Sequence, residues 1–174
     1  IGTDEETDLA VIKIEKEGLT AAELADSSAI KIGEFAMAVG NPLGMESSVT
    51  SGIISAVNRV VDSGDGNTFN LIQTDAAINS GNSGGALVNS KGQVIGITTL
   101  KLAGNSIEGL SFAIPINDTI DVYKELIEKG KISRPFVGIS GINLDEITAI
   151  RNGLTKGIYV DSVISGSSAE KAGI

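Results

Sequence analysis

Short apolar runs separated by glycine-containing turns mark out strands up to residue 115, where the period changes. Thr7–Glu15 predicts a strand entered from an acidic turn, with Leu9, Val11 and, less cleanly, Ile12 and Ile14 as its apolar positions. Leu19–Ile32 is an alanine-rich connector. Phe35–Gly40 predicts a short buried strand and Asn41–Gly44 a turn. Ser48–Val57 predicts a strand with Val49, Ile53 and Val57 on one side and Gly52 as a bulge point. Ser63–Asn67 reads as a loop tip, and Phe69–Ile72 as the strand after it. Ala86–Asn89 and Gln93–Leu100 predict a hairpin, Leu102–Glu108 a loop and Leu110–Ile114 one more strand. Strands repeating every ~8–15 residues with turn signals between them imply an antiparallel barrel or sandwich.

From Pro115 the apolar residues Ile116, Ile120, Tyr123 and Ile127, with Leu126 beside them, form one helical stripe. A helix over 117–129 follows, with Asn117 or Asp118 as its cap and Gly130 at its C′ position. Lys131–Arg134 reads as a linker. Beyond it, Phe136–Ser140 and Gly157–Ile164 predict strands, and Ser168–Ala172 the first turn of a helix. Roughly 40 residues are too few to bury an independent core comfortably. The expected division is a β domain over residues 1–131, N-terminally incomplete, and the start of a second domain over 132–174.

Composition narrows the function classes. The chain has 174 residues, 22 of them glycine, and only 3% aromatics, so its strands pack through Val, Ile, Leu and Ala. Thirteen basic residues against 22 acidic ones give a net charge of −9. That balance opposes binding to nucleic acid through phosphates or docking on an anionic membrane. The absence of cysteine excludes disulfides, thiol catalysis and cysteine-ligated metals. No apolar stretch reaches the ~18 residues of a membrane-spanning helix. There is no histidine, so a Ser-His-Asp mechanism cannot be assembled from these residues alone.

The candidate chemistry lies in Gly81-Asn82-Ser83-Gly84-Gly85. Three glycines around a serine allow a tight turn in which backbone N–H groups converge beside a hydroxyl, the arrangement acyl transfer needs. On this reading Ser83 is the nucleophile, and the N–H groups of Gly81 and Ser83 form an oxyanion hole. The alternative is a glycine-rich turn whose serine merely tolerates the bend. The pattern also satisfies G-x-S-x-G, but a hairpin follows the serine where an α/β-hydrolase elbow needs a helix. Of the known triad orders only His, then Asp, then Ser survives, with the His upstream of Ile1. Asp8, at the mouth of a strand, is the best-placed acid among Asp4, Glu5, Glu6 and Asp8; it reads either as a buried acid that orients a histidine or as a turn residue. A weaker alternative is a Ser-Lys dyad using Lys91 or Lys101. Asp75 either orients the active-site loop or caps a turn, the second being preferred.

Thr7-Asp-Leu-Ala-Val11, Val39-Gly-Asn-Pro42, Gln73-Thr-Asp-Ala-Ala-Ile-Asn79, Gly81-Asn-Ser-Gly-Gly85 and Phe112-Ala-Ile-Pro115 together resemble the HtrA/DegP family of trypsin-like serine proteases. Arg134-Pro-Phe-Val-Gly138 through Ser167-Ser-Ala-Glu-Lys-Ala-Gly-Ile174 resembles the opening of that family's PDZ domain. The resemblance covers nearly the whole chain in order. It implies a mainly β protein: the second barrel of a trypsin-like double β-barrel with the end of the first, a linker helix, then a truncated PDZ-like α+β segment. It also implies Ser83 as nucleophile and Asp8 as triad acid, with the catalytic His and most of the first barrel absent from these residues. No metal or organic cofactor is required.

The same resemblance implies specificity. Relatives that cut after Lys or Arg carry an Asp six residues before the nucleophile; here that position is Ala77, so small or aliphatic P1 residues are expected. Phe112, Ala113 and Ile114 would line a pocket wall, with ordinary barrel core as the competing reading. Thr98, Thr99 and Leu100 would offer backbone to the substrate as an added strand. The PDZ segment around Gly138 would belong to a groove for C-terminal carboxylates. The intact protein would be an extracytoplasmic quality-control endopeptidase, in the periplasm or on the outer face of the cell membrane. It would be soluble or on an N-terminal anchor, would act on unfolded polypeptides, and would form homotrimers. A non-catalytic polypeptide-binding protein (a holdase or scaffold) or an inert fragment is the competing class.

Overall fold

A computed structural model describes residues 1–41, 48–62, 68–79, 81–99 and 109–174. Most of the expected Asn41–Gly44 turn, the loops at Ser63–Asn67 and Leu102–Glu108, and both Leu100 and Lys101 lie outside the described residues. The chain divides into two compact units, Ile1–Ile132 and Ser133–Ile174. No helix among the described residues is long and apolar enough to cross a membrane.

The first unit begins with an antiparallel pair, β1 (Gly2–Asp4) and β2 (Leu9–Val11). Six strands then close a barrel: β3 (Phe35–Gly40), β4 (Ser48–Asp62), β5 (Thr68–Thr74), β6 (Ala86–Val88), β7 (Val94–Thr99) and β8 (Ser111–Pro115). Their order is β3-β4-β5-β8-β7-β6, with every pairing antiparallel. Among the described residues, closure leaves the barrel without an edge strand. Small residues on β3, Ala36 and Ala38, sit in the barrel core with Ile54, Ile72, Leu87 and Ile95. This pairing of small with large side chains is how a narrow barrel fills its interior.

The strand pattern holds in outline and shifts in detail. β2 is shorter than the expected Thr7–Glu15 run: it starts only after the chain turns sharply at Asp8, where φ is 59°, and it ends at Val11, leaving Ile12 and Ile14 exposed. On β4 the inward side is not that of Val49 and Ile53, which are exposed; the inward positions are Thr50, Gly52 and Ile54. The segment Thr74–Ala77 lies against that face, so small and hydroxylated residues are needed there. Thr50 Oγ1 donates to the Ala77 carbonyl at 2.7 Å, and Thr74 Oγ1 donates to the Ile53 carbonyl at 2.7 Å. Gly52 is in regular register; the irregularity falls between Ile54 and Arg59. A Cβ on Gly52 would meet Asp75 Oδ1 at 2.2 Å.

Helix α1 (Ile116–Lys129) begins one residue before the expected helix and ends at Gly130 in the left-handed conformation. Its N-cap is Pro115, which makes no side-chain cap bond. Asn117 is not the cap: it joins the connector, its Oδ1 accepting from Ser27 N–H at 3.2 Å and its Nδ2 donating to Asp26 at 2.7 Å. The Ser28 hydroxyl, the Asn117 amide and the Ser28 N–H, all donating to Asp26, hold its carboxyl below the usual carboxylate range. Leu126 is fully buried, and a Cβ on Gly2 would lie 2.4 Å from the Gly130 carbonyl oxygen. The β1–β2 pair is thereby fitted against the end of α1.

In the second unit, β9 (Ile139–Leu144) and β10 (Gly157–Val163) pair antiparallel. β9 starts three residues later than the expected Phe136–Ser140 strand. A short helix missed by the periodicity, α2 (Glu146–Arg151), lies between them, and α3 (Ser168–Ala172) follows. Both helices are capped by side chains: Asp145 Oδ1 accepts from Thr148 N–H at 2.6 Å, and Ser167 Oγ accepts from Glu170 N–H at 3.2 Å.

Leu126→Ala is expected to lower the unfolding free energy of the first unit by about 2–5 kcal/mol, read by urea titration. The bond from Thr148 N–H keeps the Asp145 carboxyl below its ordinary value. A lowered folded-state pKa stabilises above the unfolded value and loses that contribution as pH falls through the folded one. Acid unfolding of the second unit, followed by circular dichroism below about pH 4, should therefore be less steep in Asp145→Asn.

Candidate active site

Ser83 lies in the turn that brings the chain from β5 into β6, and it is exposed. The turn is built from backbone bonds: Asn82 N–H donates to Asn79 C=O at 3.0 Å and Gly85 N–H to Asn82 C=O at 2.9 Å. Gly81 and Gly84 have φ of 110° and 80°, values that favour glycine. Gly85 is required for another reason: a Cβ there would stand 2.2 Å from the Val39 carbonyl oxygen and 2.7 Å from that of Asn82. Asn82 points inward and is only 3% exposed.

β7 secures this turn. Gly84 N–H donates to Thr98 C=O at 2.8 Å, and Thr98 N–H donates to Gly85 C=O at 2.9 Å. Thr98 Oγ1 lies 2.5 Å from the Asn82 carbonyl oxygen and 3.1 Å from that of Gly85. Thr98 thus gives both backbone groups to the serine turn, not to an incoming strand as the sequence suggested. The next residue, Thr99, faces the other way, as strand alternation requires. Its Oγ1 donates to Asp8 Oδ2 at 3.0 Å. Adjacent residues of one strand therefore hold the two candidate catalytic elements.

Asp8 is brought there by its neighbours. Leu9 packs on the cluster of Phe69, Leu71, Phe112 and Ile114. Asp8 itself is exposed; the buried acid of this turn is Asp4, which accepts from Thr7 Oγ1 at 2.5 Å. Beside Asp8 is an open depression of about 300 Å³ lined by Thr3, Asp4, Glu5, Asp8, Leu9 and Ala10.

Ala77 is exposed, and its carbonyl accepts from Thr50 Oγ1 and, at 3.4 Å, from Asn82 Nδ2. Phe112, Ala113 and Ile114 are buried in the core clusters. Asp75 accepts from Ile53 N–H at 2.7 Å, a bond between segments and not the expected turn cap, and so fastens β4 to the segment that leads to Ser83. Lys91 is exposed in the β6–β7 turn, at the other end of β6 from Ser83, where it cannot act as the base of a dyad.

The model of the trypsin-like peptidase domain matches residues 1–97. This chain belongs to the trypsin-like peptidase family. It is homologous along its whole length to the HtrA/DegP serine proteases. It is 48% identical to the serine protease Do-like HtrA of Lactobacillus helveticus, over 100% of this chain and 46% of that protein. It is 44% identical to the periplasmic serine endoprotease DegP of Escherichia coli (strain K12), over 100% of this chain and 37% of that protein. Among solved structures, the HtrA-type protease AlgW with a decapeptide superposes with a TM-score of 0.80 at 43% identity, covering 99% of this chain and 54% of that one. The serine endoprotease from Yersinia pestis gives 0.75 at 38% identity, covering 99% and 54%. The chain spans less than half the length of these two curated relatives.

Within this HtrA-type chain, sequence reasoning missed two features of the site. One is the side chain of Thr99 as a partner of Asp8; the other is the engagement of Thr98 with the serine turn. Consecutive threonines on a β-run were the available signal, but β-branched residues are common in strands for packing reasons alone.

Gly85→Ala is expected to lower stability by about 1–3 kcal/mol, because the new methyl must displace backbone and not a flexible side chain; a thermal melt of the first unit reads this.

Proposed function

We propose that the protein carrying this chain is a serine endopeptidase in which Ser83 is the nucleophile and Asp8 the triad acid. One observation carries the reading: Thr98 and Thr99, neighbours on β7, hold the Ser83 turn and Asp8. The base is an imidazole from outside these 174 residues, since they contain no histidine. That imidazole takes the Ser83 hydroxyl proton as Oγ attacks the peptide carbonyl carbon. The oxyanion forms against the N–H groups of Gly81 and Ser83. The imidazolium, stabilised by Asp8, gives its proton to the leaving amine as the C–N bond breaks. Water then hydrolyses the acyl-enzyme by the same route.

Residue Ala77, six positions before Ser83, supports cleavage after small or aliphatic residues of unfolded polypeptides. The periplasmic naming of DegP supports an extracytoplasmic location, with soluble or membrane-anchored forms and trimers as further parts of the proposal. For residues 132–174 we take the PDZ reading. The Val137 carbonyl accepts from Ala169 N–H at 2.9 Å, and the Gly138 carbonyl from Ile164 N–H at 2.8 Å. A trans peptide sets N–H opposite C=O, so the amides of Gly138 and Ile139 are directed away from α3 and β10. That geometry supports capture of a C-terminal carboxylate.

In the intact protein, Ser83→Ala should abolish hydrolysis of a peptide anilide with Val at P1, and Asp8→Asn should lower kcat by up to ~10⁴-fold at neutral pH. Full turnover by Ser83→Ala would sink the proposal. Binding of unfolded polypeptide with no turnover by the parental protein would favour the holdase reading.

A further inference from the structure

The Thr98 hydroxyl has a role beyond strand packing. It carries one proton, and of the two carbonyl oxygens near it, that of Asn82 is closer, at 2.5 Å against 3.1 Å for Gly85. The Gly85 carbonyl already receives Thr98 N–H at 2.9 Å. The proton therefore goes to Asn82 C=O, which also accepts from Gly85 N–H. The Asn82 carbonyl and the Ser83 N–H belong to one peptide plane and point in opposite directions. Fixing the carbonyl fixes the amide.

We propose that Thr98 is a positioning residue: its hydroxyl, by holding the Asn82 carbonyl, aims the Ser83 N–H into the oxyanion hole. The plane sits in a closely packed turn. Asn82 is buried, a Cβ on Gly40 would come within 2.6 Å of Asn82 Cα, and a Cβ on Gly85 would meet Val39 and Asn82 oxygens. The contact also ties the nucleophile turn to the strand whose next residue holds Asp8. Loss of the hydroxyl leaves Asn82 C=O with one donor in place of two, so the Ser83 amide is less well aimed at an oxyanion that forms only in the transition state.

This inference rests on the protease reading of Ser83, and its test separates the two. The intact protein is assayed on the same peptide anilide as Thr98→Val, which keeps the shape and loses the hydroxyl, and as Thr98→Ser, which keeps the hydroxyl. Deleting an oxyanion donor outright costs about 10²–10³ in kcat. Here the donor stays and loses its alignment, so Thr98→Val should lose about 10- to 100-fold in kcat with KM changed by no more than about twofold. Thr98→Ser should keep at least about a third of parental kcat. Parental kcat in Thr98→Val, or a loss expressed mainly in KM, would overturn the proposal. Thr98→Ala serves if the valine variant does not fold, and is held to the same criteria. If the parental protein shows no turnover, the protease reading fails, and the contact is read separately by amide hydrogen exchange of residues 82–85. Exchange at least about tenfold faster in Thr98→Val than in Thr98→Ser is expected; equal exchange in the two overturns the role assigned to the hydroxyl.

Discussion

Two consecutive threonines on β7 are the constraint on which the site depends. A strand places neighbouring side chains on opposite faces. Thr98 therefore reaches the Asn82–Gly85 turn while Thr99 reaches Asp8. The two candidate catalytic groups come from sequence positions 75 apart and meet through two adjacent residues of a third segment. β7 can bear this because it is paired on both sides, with β6 and with β8, and Ile95 near its start is sealed in the barrel core. A site hung on a doubly paired strand is held more closely than one hung on a free loop.

The barrel in turn depends on missing side chains. Gly85 lets the serine turn lie against the Val39 carbonyl, and Gly52 lets Asp75 reach β4. At both places the neighbour is backbone or a bonded carboxylate, which cannot swing aside as the end of a flexible side chain could. The high glycine content recorded in the sequence thus includes positions whose lack of a Cβ permits close approach of segments around the site. The polar contacts Thr50–Ala77 and Thr74–Ile53 then make the approach specific.

Chemically, the described residues bring together a hydroxyl, a carboxylate and a turn of oriented amides, without an imidazole. Asp8 is exposed beside an open depression. The second unit has its own logic, in which capped short helices and backbone bonds fix the segment around Gly138.

Much of this was legible in the sequence, because strand period, glycine turns and motif order are local properties. The helix after Pro115 and its stop at Gly130, the strand from Phe35 to Gly40 and the hairpin after Ser83 could all be read from spacing. The family resemblance also ran through residues in order, which needs no coordinates. What spacing could not supply was which face of β4 is inward: Val49 and Ile53 are the more apolar choice, yet packing against Thr74–Ala77 selects the smaller side. Nor could it show that Asp4, and not Asp8, is the buried carboxylate, since burial depends on what folds over it. The sequence alone determined the residue chemistry and the local turns. The partners of Asp8 and Asn82 were decided only by the tertiary structure, because barrel closure brings β7 beside segments from opposite ends of the domain.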